Sequence, residues 1–386
     1  MISKKGVARA AAVAAVVVGL CSSAALAEVK YTVMELGTLP GYPYSWANSV
    51  GDNGLVVGNV SGAMWVSTAT VFDSTGNGHI VDLGSAVAIS VNSGGQIVGQ
   101  AYTTQNYWRA TLFDSTGHHN NIDLGTLVGG WLSTARSIND NGQIVGESNM
   151  YFNGNLYSMR ATLFDSTGSG LNRDLGALAG YEGSTARSIN NNGLIVGVSI
   201  SGNTGRATIF DGTGYGNHSD LGLLPFGRES WAKSVNDNGQ IVGLADNFMG
   251  QWHATLFDPT GGGRNVDLGA LPGHTASDAW CINNGGVIVG ESRTSNDDYT
   301  SRRATLFDST GAGHNVDLNT LIDPSLGFTL YGATDVNDSG WIVGWGAYSD
   351  GAARAFLLTP IPEPATLSLL AVGGMALLRR RRTASS

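Results

Sequence analysis

Cysteine is nearly absent: the chain has two in 386 residues. Cys21 lies in the N-terminal apolar stretch, and Cys281 is then alone, so an internal disulfide is excluded. Charge is also scarce, at 13% of residues. The basic residues concentrate at the two ends. Between residues 28 and 378 stand 14 basic against 30 acidic residues, a net charge of −16. Such a surface excludes nucleic acid as a partner. No paired cysteines, His-x-His or His-Glu-x-x-His occur. No phosphate loop or Gly-x-Ser-x-Gly elbow in a strand-to-helix setting appears either. The sequence therefore offers no metal site, no cofactor and no catalytic residue.

Glycine is plentiful, with 56 residues, which suits many turns rather than long helices. The two ends stand apart from the rest. Lys4, Lys5 and Arg9 precede an apolar run from Ala10 to Leu20, and Ala25-Leu26-Ala27 forms a small-x-small cleavage site. This predicts a signal peptide over residues 1–27, cut after Ala27. At the other end, Pro362-Glu363-Pro364 is a stiff extended kink. Ala365 to Leu378 is an apolar run of 14 residues, short against the roughly 20 of an ordinary span. Arg379, Arg380, Arg381 and Arg382 form a basic block that would stay cytoplasmic. Residues 361–386 resemble the PEP-CTERM sorting signal in order, spacing and position. The resemblance implies recognition and cleavage by an exosortase in a Gram-negative envelope, and a link to exopolysaccharide and biofilm. Membrane contact would be through 365–378 before processing.

Residues 28–360 repeat one pattern seven times. Four short blocks recur in fixed order: Asp-Leu-Gly; Ala-Arg-Ser-Ile-Asn; Gly-Gln-Ile-Val-Gly; and Arg-Ala-Thr-Leu-Phe-Asp. The third block ends at Gly58, Gly99, Gly146, Gly197, Gly243, Gly290 and Gly344. Successive intervals are 41, 47, 51, 46, 47 and 54 residues. Each block is short, β-branched or small, and bounded by turn residues, which is strand grammar. Asn139-Asp140-Asn141-Gly142 joins the second and third blocks as a tight hairpin. Four strands per unit and seven units predict an all-β, seven-bladed β-propeller, with a solenoid as the alternative. The last strand of the seventh unit would pair with the first strand, from Tyr31, and so close the ring. The units resemble the HAF repeat of bacterial extracellular proteins over residues 31–358, although Arg-Ala-Phe survives only at Arg354 to Phe356. That resemblance implies location and architecture, not an activity.

The repeated acids read as structural. The Asn-Asp-Asn-Gly and Asp-Ser-Thr-Gly segments lack calcium-loop spacing, so their side chains are expected to bond turn backbone. Cys281 takes the place of Ser49, Ser90, Ser137, Ser188 and Ser234, where a small residue is wanted, and Asp335 takes it in the last unit. A carboxylate pair could be assembled from Glu182, Glu229, Asp278, Asp297 or Asp298, with no reason to choose any two.

In an antiparallel meander the two stereotyped turns share one face, and the longer connections share the other. These connections vary and are rich in aromatics. Variable loops on a rigid scaffold are where binding usually resides. The expected ligand-binding face therefore includes Tyr44, Trp46, Trp108, Trp131, Trp231 and Trp252, as rings for stacking on sugars. The leading expectation is a non-enzymatic surface or matrix protein that binds exopolysaccharide or an envelope protein. A polysaccharide lyase or hydrolase, and a purely structural or adhesive module, are the alternatives.

Overall fold

The computed structural model describes residues 31–62, 67–152 and 155–362. The expected signal peptide, Glu363, Pro364, the apolar segment 365–378 and Arg379 to Arg382 lie outside the described residues. One compact unit runs from Thr32 to Thr359. No helix among the described residues is long and apolar enough to cross a membrane.

The described chain is almost entirely antiparallel β-sheet, arranged as five four-stranded sheets and one of seven strands. The seven-stranded sheet holds two repeat units. Its strand Val81–Val91 pairs through Val81 to Ser85 with Ser67–Phe72, and through Ala86 to Val91 with Ile97–Tyr102. In each unit the Ala-x-Ser block forms the first strand, the Ile-Val-Gly block the second and the Ala-Thr-Leu-Phe block the third. Except in the seventh unit, the next Asp-Leu-Gly forms the fourth. In the seventh unit, Tyr31–Glu35 lies beside Ala353–Pro360, and the Leu36 amide donates to the Ala355 carbonyl at 3.0 Å.

The core lies between successive sheets. Val98, Ala110 and Leu124 of one unit pack on Ala135, Ile138, Ile144 and Phe164 of the next. Val196, Ala207 and Leu221 pack in the same way on Ala232, Val235, Ile241 and Phe257. Val343, Ala355 and Leu357 of the seventh unit join Ala47, Val50, Val56 and Phe72 of the first. The second strands are buried on both faces, hence their unbroken Ile-Val-Gly rather than polar alternation. Each large apolar side chain so buried contributes about 1.5–3 kcal/mol.

The units are also laced by side-chain hydrogen bonds. The turn asparagine of one unit donates to the equivalent carbonyl of the next: Asn92 to Asn139, Asn139 to Asn190, Asn190 to Asn236, Asn236 to Asn283, Asn283 to Asn337, and Asn337 to Gly51, at 2.8–3.1 Å. Asp140 accepts from the Ser93 amide of the preceding unit at 2.8 Å, and Asp237 likewise from Asn191. The sequence led us to expect these acids to bond their own turns; instead they bridge units. The Asp-Ser-Thr-Gly acids do serve their own turns. Asp114 accepts from the Thr116 amide and hydroxyl and from the Asn120 amide. Those bonds hold its carboxyl below the ordinary range.

Every first strand carries a bulge at the same place. The residue after the repeated alanine is skipped by the ladder: Asn48, Ile89, Arg136, Arg187, Lys233, Trp280 and Thr334. The bulge swings the preceding carbonyl over the second strand, onto the repeated glycine. A Cβ on Gly243 would overlap the Trp231 carbonyl oxygen, and one on Gly146 that of Thr134. Only glycine fits, which accounts for the glycine ending the third block. Gly243→Ala is expected to lower unfolding free energy by about 1–3 kcal/mol through overpacking. Gly62→Ala, where a Cβ meets nothing within 4 Å, should change it by less than about 0.5 kcal/mol. Urea unfolding followed by tryptophan fluorescence checks both.

Candidate functional site

The seven bulged side chains line one cavity of about 490 Å3. Each unit thus contributes its bulged residue, whose identity changes between most units. Three consecutive units supply cations: Arg136, Arg187 and Lys233. Arg136 is ion-paired with Glu147 through both its Nε and Nη2. Lys233 Nζ lies 2.5 Å from Asp278 Oδ2. Arg187 has no ion pair among the described residues, its Nε is sealed without a hydrogen-bond partner, and its guanidinium stands 6.0 Å from the Trp231 ring centroid. Burial, with Arg136 nearby, lowers the Arg187 guanidinium to about 10. The other side of the wall is neutral. There Asn48 donates to the Ala88 carbonyl at 2.7 Å and Thr334 to the Ala47 carbonyl at 2.8 Å.

Below the bulged residues lies a tier of small polar groups. Ser188 Oγ accepts from the Val235 amide of the next unit at 3.3 Å, and Ser234 Oγ from Ile282. In the last unit Asp335 accepts from the Val50 amide at 2.9 Å. Cys281 Sγ donates to Asp335 Oδ1 at 2.8 Å. Removal from water, with Asp335 beside it, pushes the thiol well up. Cys281 therefore sits as a protonated donor between Ser234 and Asp335. The equivalent turns of all seven units, from Gly51-Asp52 to Asn337-Asp338, surround a smaller cavity of about 190 Å3 beyond this tier.

Trp280 joins the central cavity to a side pocket of about 300 Å3. The strand Ala276–Ile282 supplies Asp278 and Trp280 to this pocket, and Ile288–Arg293 supplies Glu291 and Arg293. The longer connection after Arg293 adds Asn296, Asp297, Tyr299 and Arg302, and Trp252 enters from the preceding unit. A short 3-10 helix, Tyr299–Ser301, shapes that connection; Asp298 caps it by accepting from the Thr300 amide. Asn296 fixes Trp252 by accepting from its amide at 3.0 Å. Asp278 and Glu291 are direct partners across the two strands. Glu291 is 2% exposed. Its carboxylate faces Arg293 Nε at 3.5 Å and Arg302 Nε at 3.3 Å. Arg293 and Arg302 both lie over the Tyr299 ring.

The six aromatics expected from sequence are half-buried and spread over several sheets. Tyr44 and Trp46 lie on one strand with ring centroids 6.1 Å apart. Trp108 packs edge-on to Tyr102 at 4.9 Å, and Trp131 lies 6.4 Å from Tyr107. Trp231 stands over Arg187 beside the central cavity, and Trp252 lines the side pocket. Of the carboxylates considered from sequence, Asp278 and Asp297 enter the side pocket. Glu291, Arg302 and the cavity cations went unnoticed, yet one signal was present: the residue between the repeated alanine and the mostly repeated serine changes in nearly every unit. No group of three or more His, Cys, Asp or Glu side chains with metal-binding geometry occurs among the described residues.

Comparison with protein families adds two findings. Residues 130–253 match a family described as "Protein of unknown function (DUF3466)". Residues 360–382 match the PEP-CTERM protein-sorting motif. The chain carries a PEP-CTERM sorting motif. That motif marks an exported, surface-sorted protein processed by exosortase. The DUF3466 match spans the three units that supply Arg136, Arg187 and Lys233. Among curated proteins, nothing matches the chain.

Burial raises the Glu291 carboxyl from 4.5 to about 7, with Asp278 adding to the rise while Arg302 and Arg293 oppose it. The folded chain holds this proton more tightly than the unfolded chain. The stability it contributes is full below pH 4.5 and is lost as pH rises to about 7. Carbon-detected NMR of the side-chain carboxyls should show one glutamate titrating near pH 7, missing in Glu291→Gln. A spectrum in which every glutamate titrates near its ordinary value would contradict the burial.

Proposed function

We propose that this is an exported, non-enzymatic, seven-bladed propeller that binds a glycan or an envelope partner in the exopolysaccharide matrix of a Gram-negative bacterium. The ring reading is supported by the pairing of Tyr31–Glu35 with Ala353–Pro360 and by the Asn337-to-Gly51 bond. One observation carries the binding role: a scaffold repeated seven times turns its bulged, variable strand residue, unit by unit, into one cavity. Tyr44, Trp46, Trp108, Trp131, Trp231 and Trp252 supply rings on the surrounding strands and connections, of the kind that stack on sugar faces. The sorting motif supplies the location.

A second reading, a polysaccharide lyase or hydrolase, is favoured by one feature. Asp278 and Glu291 face each other across paired strands, and Glu291 titrates near neutral pH.

The exported protein, incubated with its host's exopolysaccharide, should bind and leave the polymer's length unchanged. New reducing ends or unsaturated products would favour the enzyme reading. Capture of envelope proteins with no polysaccharide retained would favour an adhesive module. Processing is checked separately by intact mass. The surface form should lack Arg379 to Arg382, and their presence there would refute exosortase cleavage.

A further inference from the structure

The side pocket concentrates buried polar atoms that lack a hydrogen bond. Eleven side-chain polar atoms among the described residues are sealed from solvent without a hydrogen-bond partner. Five of them belong to this one pocket: Asp278 Oδ1, Trp280 Nε1, Glu291 Oε2, Arg293 Nε and Arg302 Nε. Native proteins pair such atoms, because each costs about 1–3 kcal/mol when left unmet. Here Asp278 Oδ1 and Trp280 Nε1 have no hydrogen-bond partner, and beside them the Glu291 carboxylate, ion-paired with Arg302 Nε at 3.3 Å and Arg293 Nε at 3.5 Å without a well-formed hydrogen bond, borders a space of about 300 Å3.

The mixture restricts what would satisfy them. Asp278, Glu291 and Asp297 stand against Arg293 and Arg302, with Lys233 adjoining through Asp278. An anion would meet three carboxylates, and a cation would meet three bases. A hydroxyl group both donates and accepts, so one ring bearing several hydroxyls serves both sets at once. The volume is at the small end of ligand sites and suits one ring rather than a long segment. Trp252 provides an apolar wall for the ring's carbon face.

We infer that the pocket between Ala276–Ile282 and Ile288–Arg293 holds one neutral pyranose unit, with Asp278 and Glu291 accepting from its hydroxyls and Trp280, Arg293 and Arg302 donating to its oxygens. This inference rests on the glycan-binding reading and assigns it a sugar class and a place.

The test uses the exported protein and a panel of neutral methyl glycosides of glucose, galactose, mannose and N-acetylglucosamine. Methyl glucuronide is the charged comparator, and binding is read by saturation-transfer NMR and calorimetry. At least one neutral glycoside should bind, and more tightly than the glucuronide. Trp252→Ala and Glu291→Gln should each weaken it at least tenfold, while Tyr215→Ala, on an exposed turn outside the pocket, leaves it unchanged. Trp252→Ala carries the test if Glu291→Gln fails to fold, as judged by thermal unfolding. If the host exopolysaccharide binds but no neutral glycoside does, or Trp252→Ala has no effect, this site falls and the glycan reading stands. If neither polymer nor glycoside binds, both fall. Preferential binding of the glucuronide would overturn the neutral-sugar assignment.

Discussion

The close approach of a carbonyl to a glycine, repeated seven times, is the contact on which the rest depends. At each second strand the glycine yields the space that a Cβ would fill, and the first strand uses that space for its bulge. A bulge inserts one residue that the ladder does not pair and re-aims its side chain. Here that residue reaches the central cavity. The same constraint therefore ties the most repeated residue in the sequence to one of the most variable. Scaffold and site are two consequences of one steric arrangement.

Cohesion between units uses a different device. The apolar cores lie between sheets, so no unit completes its own core. The turn asparagines add directional bonds across each boundary from Asn92 onward, through Asn337 to Gly51. At the boundary between the first two units, Gly51 has no side chain to donate, and Asn53 bonds the Ser93 carbonyl instead at 3.1 Å. Nonpolar burial supplies most of the energy, and the bonds fix the register of one sheet against the next.

The site is lopsided. Its cations come from three adjacent units, and two of them are neutralised by Glu147 and Asp278, leaving Arg187 unmatched. The side pocket is built mainly by the sixth unit, with Trp252 from the fifth, and a longer connection brings Tyr299 and Arg302 beside the buried Glu291. That unit also departs from the pattern in its first strand, with Trp280 and Cys281 where the fifth unit carries Lys233 and Ser234. Divergence from the repeat coincides with the densest collection of buried polar atoms that lack a hydrogen bond among the described residues.

The sequence alone determined the strands, the turns and the sevenfold count, because these depend on local chemistry: β-branched blocks, Asn-Gly and Asp-x-x-Gly turns, and a fixed period. It also determined the sorting motif, a linear signal. It did not reveal the bulge, since Ala-Arg-Ser-Ile alternates like an unbroken strand and the skipped residue is visible only in the pairing with its neighbour. The turn acids were legible as turn residues, but not as bridges from Asp140 to Ser93, 47 positions apart. The aromatics were legible as ring-bearing positions, but not their neighbours: Trp231 stands over Arg187 and the Trp252 amide donates to Asn296, each pair 44 residues apart. The side pocket was least legible: Trp252, Asp278, Glu291 and Arg302 follow no motif spacing. Only the stacking of one sheet on the next, with a bulge turning one strand inward, brings those charges out of water and together.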